Sequence, residues 1–592
     1  MFLNRFSFLK RSSFLNKYAE NKRLFVFWGL LCILANVLCT LGDPYDGDQG
    51  YWAGWIQQLA DGGFEKFNGN YPPLYVLWLW VVAQIHSCLG LVIGKTFFLK
   101  VLCLWPVYFS HLFLVDFCCR LLEKFNYPEW KKHLLVGFVA LNPALLLDGP
   151  IWGQIDILPV VFVILAIYCI SFRRTIVWAS LFFMLSILTK FQMIMFLPIF
   201  GGLFIKNWRT SWKGLPFAVL GTLIVFLPFI VMGGFTGAFS RAYLQATDYY
   251  PYSTFNAMNM WYLVAGNTVR DTVHIFGIDG GSLGFLFEPK WLGKILFVVI
   301  SIFVFVKSLL CKNLRTAFAL CTLNALAFFV VLPSMHERYL MYAIVIALCW
   351  LVLDMKKSGP LCLLVTLAAA KNIAFINAFH GAPVWTIVSW VTTLSLLLML
   401  LEIAIPKRMS AFVRLVQRAN LPAYVPYAVL GAVLVIQSVV TCCQNRPVIV
   451  EKTDKVKFID ELILIDWNQG FGKPHFNKSV DDRVLSVANR TYKNGIGTHA
   501  PSNFVYDLPQ DADSLFFGVA IDGECQNKGE VVFAVKVDGR NVWRSGIVKG
   551  GDKPEFSSVS VNGASRVELL TDPHGSDMCD HADWLNTYVK LQ

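Results

Sequence analysis

The feature that leaves this chain the fewest options is a succession of apolar runs joined by short loops, from about residue 24 to about residue 441. Runs near 24–41, 97–121, 215–232, 292–308 and 384–404 are each long enough to cross a bilayer as a helix, because about 20 residues at a rise of 1.5 Å match the hydrocarbon thickness. The composition agrees, with 56% of the 592 residues hydrophobic and 15% charged, whereas soluble domains carry about 25% charged residues. A soluble enzyme, a disordered tail and a nucleic-acid binder are therefore excluded as readings of the whole chain.

The net charge of +12 is unevenly placed. Up to Pro447 there are about 35 basic and 18 acidic residues, and beyond it about 16 and 21. Basic residues gather in the N-terminal arm (Arg5, Lys10, Arg11, Lys17, Lys22, Arg23) and in loops near Arg120, Arg174, Lys206, Lys312, Lys357 and Arg408, the positive-inside pattern. The run 73–94, which follows Pro72–Pro73 and contains Gln84 and His86, is read as a re-entrant or interfacial helix hairpin, because that keeps the basic loops on one side. The expected organisation is a basic arm (1–23), a polytopic α-helical domain of about thirteen spans (24–441) with exterior loops 42–96 and 233–291, a lead-in strand or linker (442–470) and an exterior domain (471–592). The first apolar run is long and lacks a small-residue cleavage site, so it is expected to be retained as a span.

Polar residues that the spans tolerate sit at the exterior ends: Asp43, Asp46 and Asp48 in DPYDGDQGYW, Asp148 and Asp156 in LNPALLLDGPIWGQIDILP, Lys190 and Gln192 in LTKFQM, and His336, Glu337 and Arg338 in PSMHERY. Ionisable groups beside spans are costly, so their clustering on one face points to a site, although acidic residues at helix ends are also simply solvated. A carboxylate there can take a proton from an acceptor hydroxyl, and Arg, Lys and His can hold a lipid phosphate and the charge developing on it. These parts suit sugar transfer from a polyprenyl-phosphate carrier, and no cytoplasmic segment is long enough for a nucleotide-binding domain.

These motifs resemble polytopic glycosyltransferases of the GT-C fold, which include dolichyl-phosphate glucosyl- and mannosyltransferases and their bacterial relatives. The resemblance covers most of 24–440. It rests on Asp48 with Trp52 and Trp55, YPPL at 71–74, Asn142-Pro143 followed by Asp148, Trp152, Gln154 and Asp156, Lys190 with Gln192 (Phe191 intervening), Ser253, Asn256, Ala257, Asn259 and Trp261, and finally His336, Glu337 and Arg338. It implies an inverting reaction without a covalent intermediate. Asp48 is the implied base, with Asp46 the competing choice, and His336, Glu337, Arg338, Lys190 and Gln192 form the donor-phosphate group. Asp148, Gln154, Asp156, Asn256, Asn259 and Trp261 are the residues for orienting acceptor or sugar, with helix capping the alternative for Asp156 and packing for Trp261. No metal constellation or cofactor is expected beyond the lipid-linked sugar donor, and a divalent metal is not required.

Residues beyond 470 alternate as strands do: VVFAVKVDGRNVW (531–543) and SRVELLTD (565–572) are broken by Asp-Gly turns, which argues an all-β sandwich. NGIGTHAPS (494–502), Asp522, the 532–545 run and DHADW (580–584) resemble the NPCBM carbohydrate-binding modules attached to glycan-active enzymes. His499, Asp522, Asp580, His581, Asp583 and Trp584 are the residues to test for sugar binding, with structural hydrogen bonding or core packing as the alternatives. An oxidising compartment would permit Cys525 and Cys579 to pair. Asn477-Lys-Ser and Asn489-Arg-Thr are formal glycosylation sequons.

The leading reading is a membrane hexosyltransferase, mannose- or glucose-like in its sugar. Its partners are the bilayer, the lipid-linked donor and a glycan or lipid-linked acceptor, with no nucleic acid. A bacterial plasma membrane is favoured, with the site and C-terminal domain outside, or the ER membrane in a eukaryote. Two other classes stay open: a lipid-linked-sugar flippase, which should place charges at mid-membrane and show internal repeats, and a catalytically inert membrane-anchored lectin.

Overall fold

The computed structural model describes residues 4–41, 46–123, 125–172, 174–245, 251–275, 281–374, 382–404, 450–487, 490–525, 529–575 and 579–592. The chain divides into a helical unit and a β unit. In the helical unit, Asn21–Thr40, Phe97–Leu122, Glu129–Trp152, Trp208–Val231, Pro289–Leu309, Leu314–Val331 and Val384–Ala404 are long and apolar enough to cross a membrane. Shorter apolar helices cover Pro73–Leu89, Ile157–Ile170, Ile176–Thr189 and Phe191–Lys206, and Met341–Leu353 and Met355–Ala374 complete the packing. The span expected at 424–441 lies outside the described residues.

One expectation is corrected. Residues 73–94 hold a single helix, Pro73–Leu89, not a hairpin. Pro73 starts it, where the missing N–H costs nothing, and Gly90 ends it at φ 62° in the left-handed region. His86 lies buried against the Phe98 ring, so its side chain is absorbed by packing.

Elsewhere the helices are interrupted where the polar motifs fall. Asn142 caps the amides of Ala144 and Leu145 at 3.2 and 3.3 Å, and the next turn widens around Pro150 before Gly153 ends it at φ 99°. Lys190 is extended (φ −153°, ψ 122°) between the Ala179–Thr189 helix and a tighter turn over Phe191–Phe196. Asn324, buried within the Leu314–Val331 helix, satisfies this break by donating to the Met195 carbonyl at 2.5 Å. His336 is likewise extended, between Val331 and the turn Glu337–Leu340. Irregular backbone at such depth is stable only where protein surrounds it or where it lines a cavity. Glycines set the approach of the enclosing helices: a Cβ at Gly202 would collide with Ser308 and the Phe305 carbonyl, and one at Gly293 with the Val331 carbonyl.

The β unit is a sandwich of two antiparallel sheets. Its strands are β1 (Val456–Phe458), β2 (Ile463–Gln469), β3 (His475–Phe476), β4 (Ser486–Val487), β5 (Arg490–Thr491), β6 (Gly495–His499) and β7 (Ser502–Asp507). They continue as β8 (Ala512–Ile521), β9 (Glu530–Val537), β10 (Arg540–Arg544), β11 (Val548–Lys549), β12 (Glu555–Ser560), β13 (Arg566–Pro573) and β14 (His581–Leu591). One sheet has the order β12-β8-β14-β6-β3 with β1 on β14, and the other β10-β9-β13-β7-β2 with β11 on β9. The expected strands 531–543 and 565–572 are β9–β10 and β13, and Asp538-Gly539 forms the hairpin turn. The expected boundary at 471 falls too late, because β1 and β2 already pair with β14 and β7. Phe504, Phe517, Phe533, Val535, Leu569 and Trp584 close the core. Cys525 and Cys579 are disulfide-bonded, with Cα atoms 5.6 Å apart.

Candidate functional site

The helical unit encloses a cavity of about 1500 Å³. Asp48, Gln154, Lys190, Gln192, His336 and Arg338 all line it, so residues nearly 300 positions apart in sequence meet in one space. Asp48 sits on the helix Asp46–Lys66 and accepts two short hydrogen bonds on one oxygen, Oδ2, from Trp152 Nε1 and Gln154 Nε2, both at 2.6 Å. Among the described residues Oδ1 accepts no hydrogen bond. Charge-assisted bonds of this length fix the carboxylate's orientation.

The polar end is a closed ring of contacts. The Tyr71 hydroxyl donates to Gln154 Oε1 at 3.4 Å, and its ring lies 5.7 Å from Lys190 Nζ. Lys190 is ion-paired with Asp156, which also accepts from the Tyr342 hydroxyl at 3.1 Å and lies 3.8 Å from Arg338 Nε. The Arg338 guanidinium stacks over the Trp152 ring at 5.2 Å and over Tyr339 at 5.5 Å. Trp152 thus touches Asp48 through its N–H and Arg338 through its ring. His336 is held by the segment before the Asn256 motif: Phe255 N–H donates to the Met335 carbonyl at 2.9 Å, and the Phe255 ring lies 5.0 Å from the imidazole. Gln192 donates to the Tyr339 hydroxyl at 3.3 Å.

Several expected site residues do other work. Asp156 is fully buried and does not reach the cavity; it makes no capping bond and instead holds Lys190 and Arg338 from behind. Asp148 is also buried, in the widened turn before Trp152. Glu337 is buried outside the cavity lining and lies 3.5 Å from Arg338. Asn259 caps the Trp261 amide at 3.0 Å and donates to the Phe329 carbonyl at 3.1 Å. Trp261 is core, its indole N–H on the Val331 carbonyl at 2.8 Å. Asn256, at φ 60°, pairs with Asn267 at 2.9 Å. Of the group Asp148, Gln154, Asp156, Asn256, Asn259 and Trp261, Gln154 lines the cavity and the others do not. The Asp46 side chain lies outside the described residues.

Sequence reasoning missed Tyr339 as a ring shared by Arg338 and Lys190, and it missed Lys100. That buried lysine donates to the Ile151 carbonyl at 2.9 Å and the Thr40 carbonyl at 3.2 Å, fixing the turn that presents Trp152. Its only sequence signal is a cation inside an apolar run.

Away from this polar end the cavity becomes apolar. Ile194 and Leu197 form one wall, and Phe297, Val298, Ile302 and Phe305 recur at helical spacing on the other. Val298 and Ile302 are also more than half exposed, so the cavity opens sideways between these helices.

In the β unit the expected residues separate by depth. Trp584 is core, packed edge-on against Phe517 and Phe533, so it cannot stack on a sugar. Asp580 is buried and accepts from the Glu530 amide at 2.9 Å. Asp522 is buried and accepts from the Ser486 and Glu524 amides at 2.9 and 2.8 Å, beside the buried Asp583. Burial, reinforced by the Glu524 charge, pushes Asp522 up to about 7, and burial with the Asp522 charge lifts Asp583 well above the carboxylate range. These three are structural, as buried carboxyls must be paired or neutral.

His499 is buried and His581 partly buried, their rings 5.4 Å apart across the β6–β14 pair, and the exposed Phe471 ring covers His499 at 5.6 Å. His581 Nδ1 lies 2.6 Å from Glu524 Oε1, and Ser479 donates to Glu524 Oε2 at 2.7 Å. Burial disfavours the His581 charge, but the Glu524 bond and the charges of Glu524, Asp481 and Asp522 together outweigh it and hold the imidazole above its ordinary value. Burial likewise opposes ionised Glu524, and the His581 bond and charge, the Ser479 bond and the Arg483 charge together outweigh it to keep the carboxyl low. Ligand atoms of Asp481, Glu524 and His581 lie within 4.8 Å of one another, a grouping not foreseen from sequence. Two of these residues, Glu524 and His581, are already bonded to each other. Asn477 of the first sequon donates to Asp460 at 2.7 Å and accepts from the Gly495 amide at 3.0 Å, and Asn489 lies outside the described residues.

The C-terminal unit is a β-sandwich of two antiparallel sheets around one core. Residues 455–590 match the NPCBM/NEW2 domain. Alpha-1,3-galactosidase B of Akkermansia muciniphila is 30% identical over 127 residues, 21% of this chain and 16% of that protein, so the likeness spans about a sixth of that relative. A solved CBM51 from a Clostridium perfringens GH95 protein, in complex with methyl-galactose, is 26% identical; it covers 23% of this chain and 99% of that one at a TM-score of 0.22. The arabinosyltransferase EmbB of Mycobacterium smegmatis is 10% identical over 97% of this chain and 64% of its own, at a TM-score of 0.29. The chain therefore joins a helical region rich in apolar, membrane-type helices to an NPCBM carbohydrate-binding domain.

Proposed function

We propose that the chain is an integral membrane glycosyltransferase that moves a hexose from a polyprenyl-phosphate sugar to a glycan or lipid-linked acceptor outside the bilayer. The observation that carries this is one cavity lined by Asp48, Lys190, His336 and Arg338 at one end, while apolar walls open sideways at the other. A lipid tail fits the apolar side, and a phosphosugar fits the polar one. Asp48 Oδ1 accepts the proton of an acceptor hydroxyl, the hydroxyl oxygen bonds to the anomeric carbon with inversion, and the bond from that carbon to the phosphate oxygen breaks. Lys190, His336 and Arg338 then face the leaving polyprenyl phosphate, and Gln154 holds Asp48 while meeting the sugar.

The NPCBM domain raises the local concentration of acceptor glycan, which at short tether lengths reaches roughly millimolar values. Its sugar face is the Phe471, His499 and His581 edge, with Phe471 the stacking ring. The membrane domain is read with about thirteen spans and a GT-C-like fold, with its site and the NPCBM domain outside.

A transfer assay on the purified full chain tests the reading, offering radiolabelled polyprenyl-phosphate hexoses and, separately, nucleotide hexoses. Product is expected from the lipid-linked donors alone. Product from nucleotide sugars instead would remove the lipid-phosphate mechanism.

A further inference from the structure

The polar end of the cavity is poorer in free positive charge than its residue names imply. Lys190 is ion-paired with Asp156, and Arg338 lies between Asp156 and Glu337 with Asp48 nearby. Two cations thus face three carboxylates before any substrate arrives. A polyprenyl phosphate brings a further negative charge, and gains another as the sugar leaves.

Lys290 and Lys294 also line the cavity. Among the described residues, neither has a carboxylate oxygen within 4.0 Å. Asp271 lines the same wall, but its link to Lys290 is through its backbone carbonyl, which accepts the Lys290 amide at 2.9 Å. The Lys294 ammonium lies 5.3 Å from the Trp291 ring. The two lysines are four residues apart in the first turns of Pro289–Leu309. Like charges at that spacing repel, and cations at a helix N-terminus oppose the helix dipole. An anion placed between them removes both penalties.

The same helix face then runs apolar through Phe297, Val298, Ile302 and Phe305, about 16 Å along the axis from Lys294 at 1.5 Å per residue. A chain lying on that face puts its phosphate beside the two ammonium groups.

We propose that Lys290 and Lys294 hold the phosphate of the lipid carrier, supplying the uncommitted positive charge that Lys190 and Arg338 lack. The proposal rests on the lipid-phosphate reading above and adds to it the pair that binds the headgroup. An anionic phospholipid of the bilayer carries the same phosphate chemistry, so the test separates the two sources.

The test uses the full-length protein in phosphatidylcholine nanodiscs and measures binding of tritiated undecaprenyl phosphate and, separately, tritiated undecaprenol, which has the same tail without the charge. The wild type is expected to prefer the phosphate by about tenfold or more, the scale of one charge-assisted contact. Lys290→Ala with Lys294→Ala should erase about that factor while leaving undecaprenol binding unchanged, and the double arginine variant should restore it. Undecaprenyl phosphate binding within twofold of wild type in the double alanine variant overturns the proposal and leaves the lipid-phosphate reading standing. Equal wild-type affinity for phosphate and alcohol overturns both. Displacement by equimolar phosphatidylglycerol assigns the lysines to the bilayer headgroup and also overturns the proposal.

Discussion

Replacing Asp156 with asparagine keeps the side-chain shape but removes the charge that two buried cations share. Asp156 has no exposed surface, is ion-paired with Lys190, lies 3.8 Å from Arg338 and accepts from Tyr342 at 3.1 Å. Breaking a buried pair by removing one partner costs about 3–5 kcal/mol, because the remaining charge is left uncompensated. Here Glu337 at 3.5 Å and Asp48 still act on Arg338, so the loss falls mainly on Lys190 and belongs near the lower limit, about 3 kcal/mol. For a helical unit larger than the domains in which such scaling is measured, that corresponds to about 5 °C in the apparent unfolding midpoint of the detergent-solubilised protein. The decisive comparison is a double-mutant cycle with Lys190→Gln, which removes the stranded cation. The double variant should be less destabilised than the sum of the singles by about 1–2 kcal/mol, yet remain inactive. Strict additivity would refute the shared-charge account, and so would a fully active Asp156→Asn.

Three further outcomes follow from the geometry. Lys100→Met should lower transfer by about tenfold or more with modest loss of stability, since freeing Ile151 loosens the turn that aims Trp152 at Asp48; unchanged kcat in a purified variant would remove Lys100 from that role. Phe471→Ala should abolish retention of the NPCBM domain on immobilised glycan, whereas Trp584→Phe should cost stability with retention kept; the reverse result would move the sugar face into the core position. The third concerns pH. Asp522 titrates near 7 in the fold and near 4 when unfolded, so its contribution is full below the unfolded value and is lost as pH rises through about 7. His581, raised by Glu524, adds loss in the same direction as pH rises through its folded value, whereas the lowered Glu524 loses its part only under acid conditions. Asp583, raised further by burial and the Asp522 charge, loses stability in the same direction, so the domain comprising 450–592 should melt higher at pH 5.5 than at pH 8, and Asp522→Asn should reduce that slope without removing it. A domain that melts equally at both values contradicts the buried-carboxyl assignment.

The reading of the chain as apolar helices followed by an alternating sandwich was legible because period and length are local properties: the Asp538-Gly539 turn and the 292–308 run need no tertiary information. The convergence of Asp48 with Arg338 was also legible, through motifs that shared one expected face. Depth was not. Asp156, Asp148, Asn259 and Trp261 belong to the same motifs as the cavity residues, but whether a side chain lines the space or braces it depends on which neighbour fills the gap behind. Asp156 stands behind Lys190 only because Lys190 breaks its helix. The same holds in the sandwich, where Asp583 and Trp584 are consecutive on β14, face opposite sides of the sheet, and are both buried. Phe471 carried no motif at all, and Lys290 and Lys294 were visible only as a lysine pair at helical spacing among residues expected on the cation-poor side.

The most direct test of the account is sugar transfer by purified wild-type and Asp48→Asn protein from the lipid-linked donor found active, with the anomeric configuration of the product determined. The account predicts an inverted linkage from the wild type and a loss of about 10²–10⁴-fold in kcat for Asp48→Asn, with binding of undecaprenyl phosphate intact. Retention of configuration, or full turnover without the Asp48 carboxylate, would contradict it.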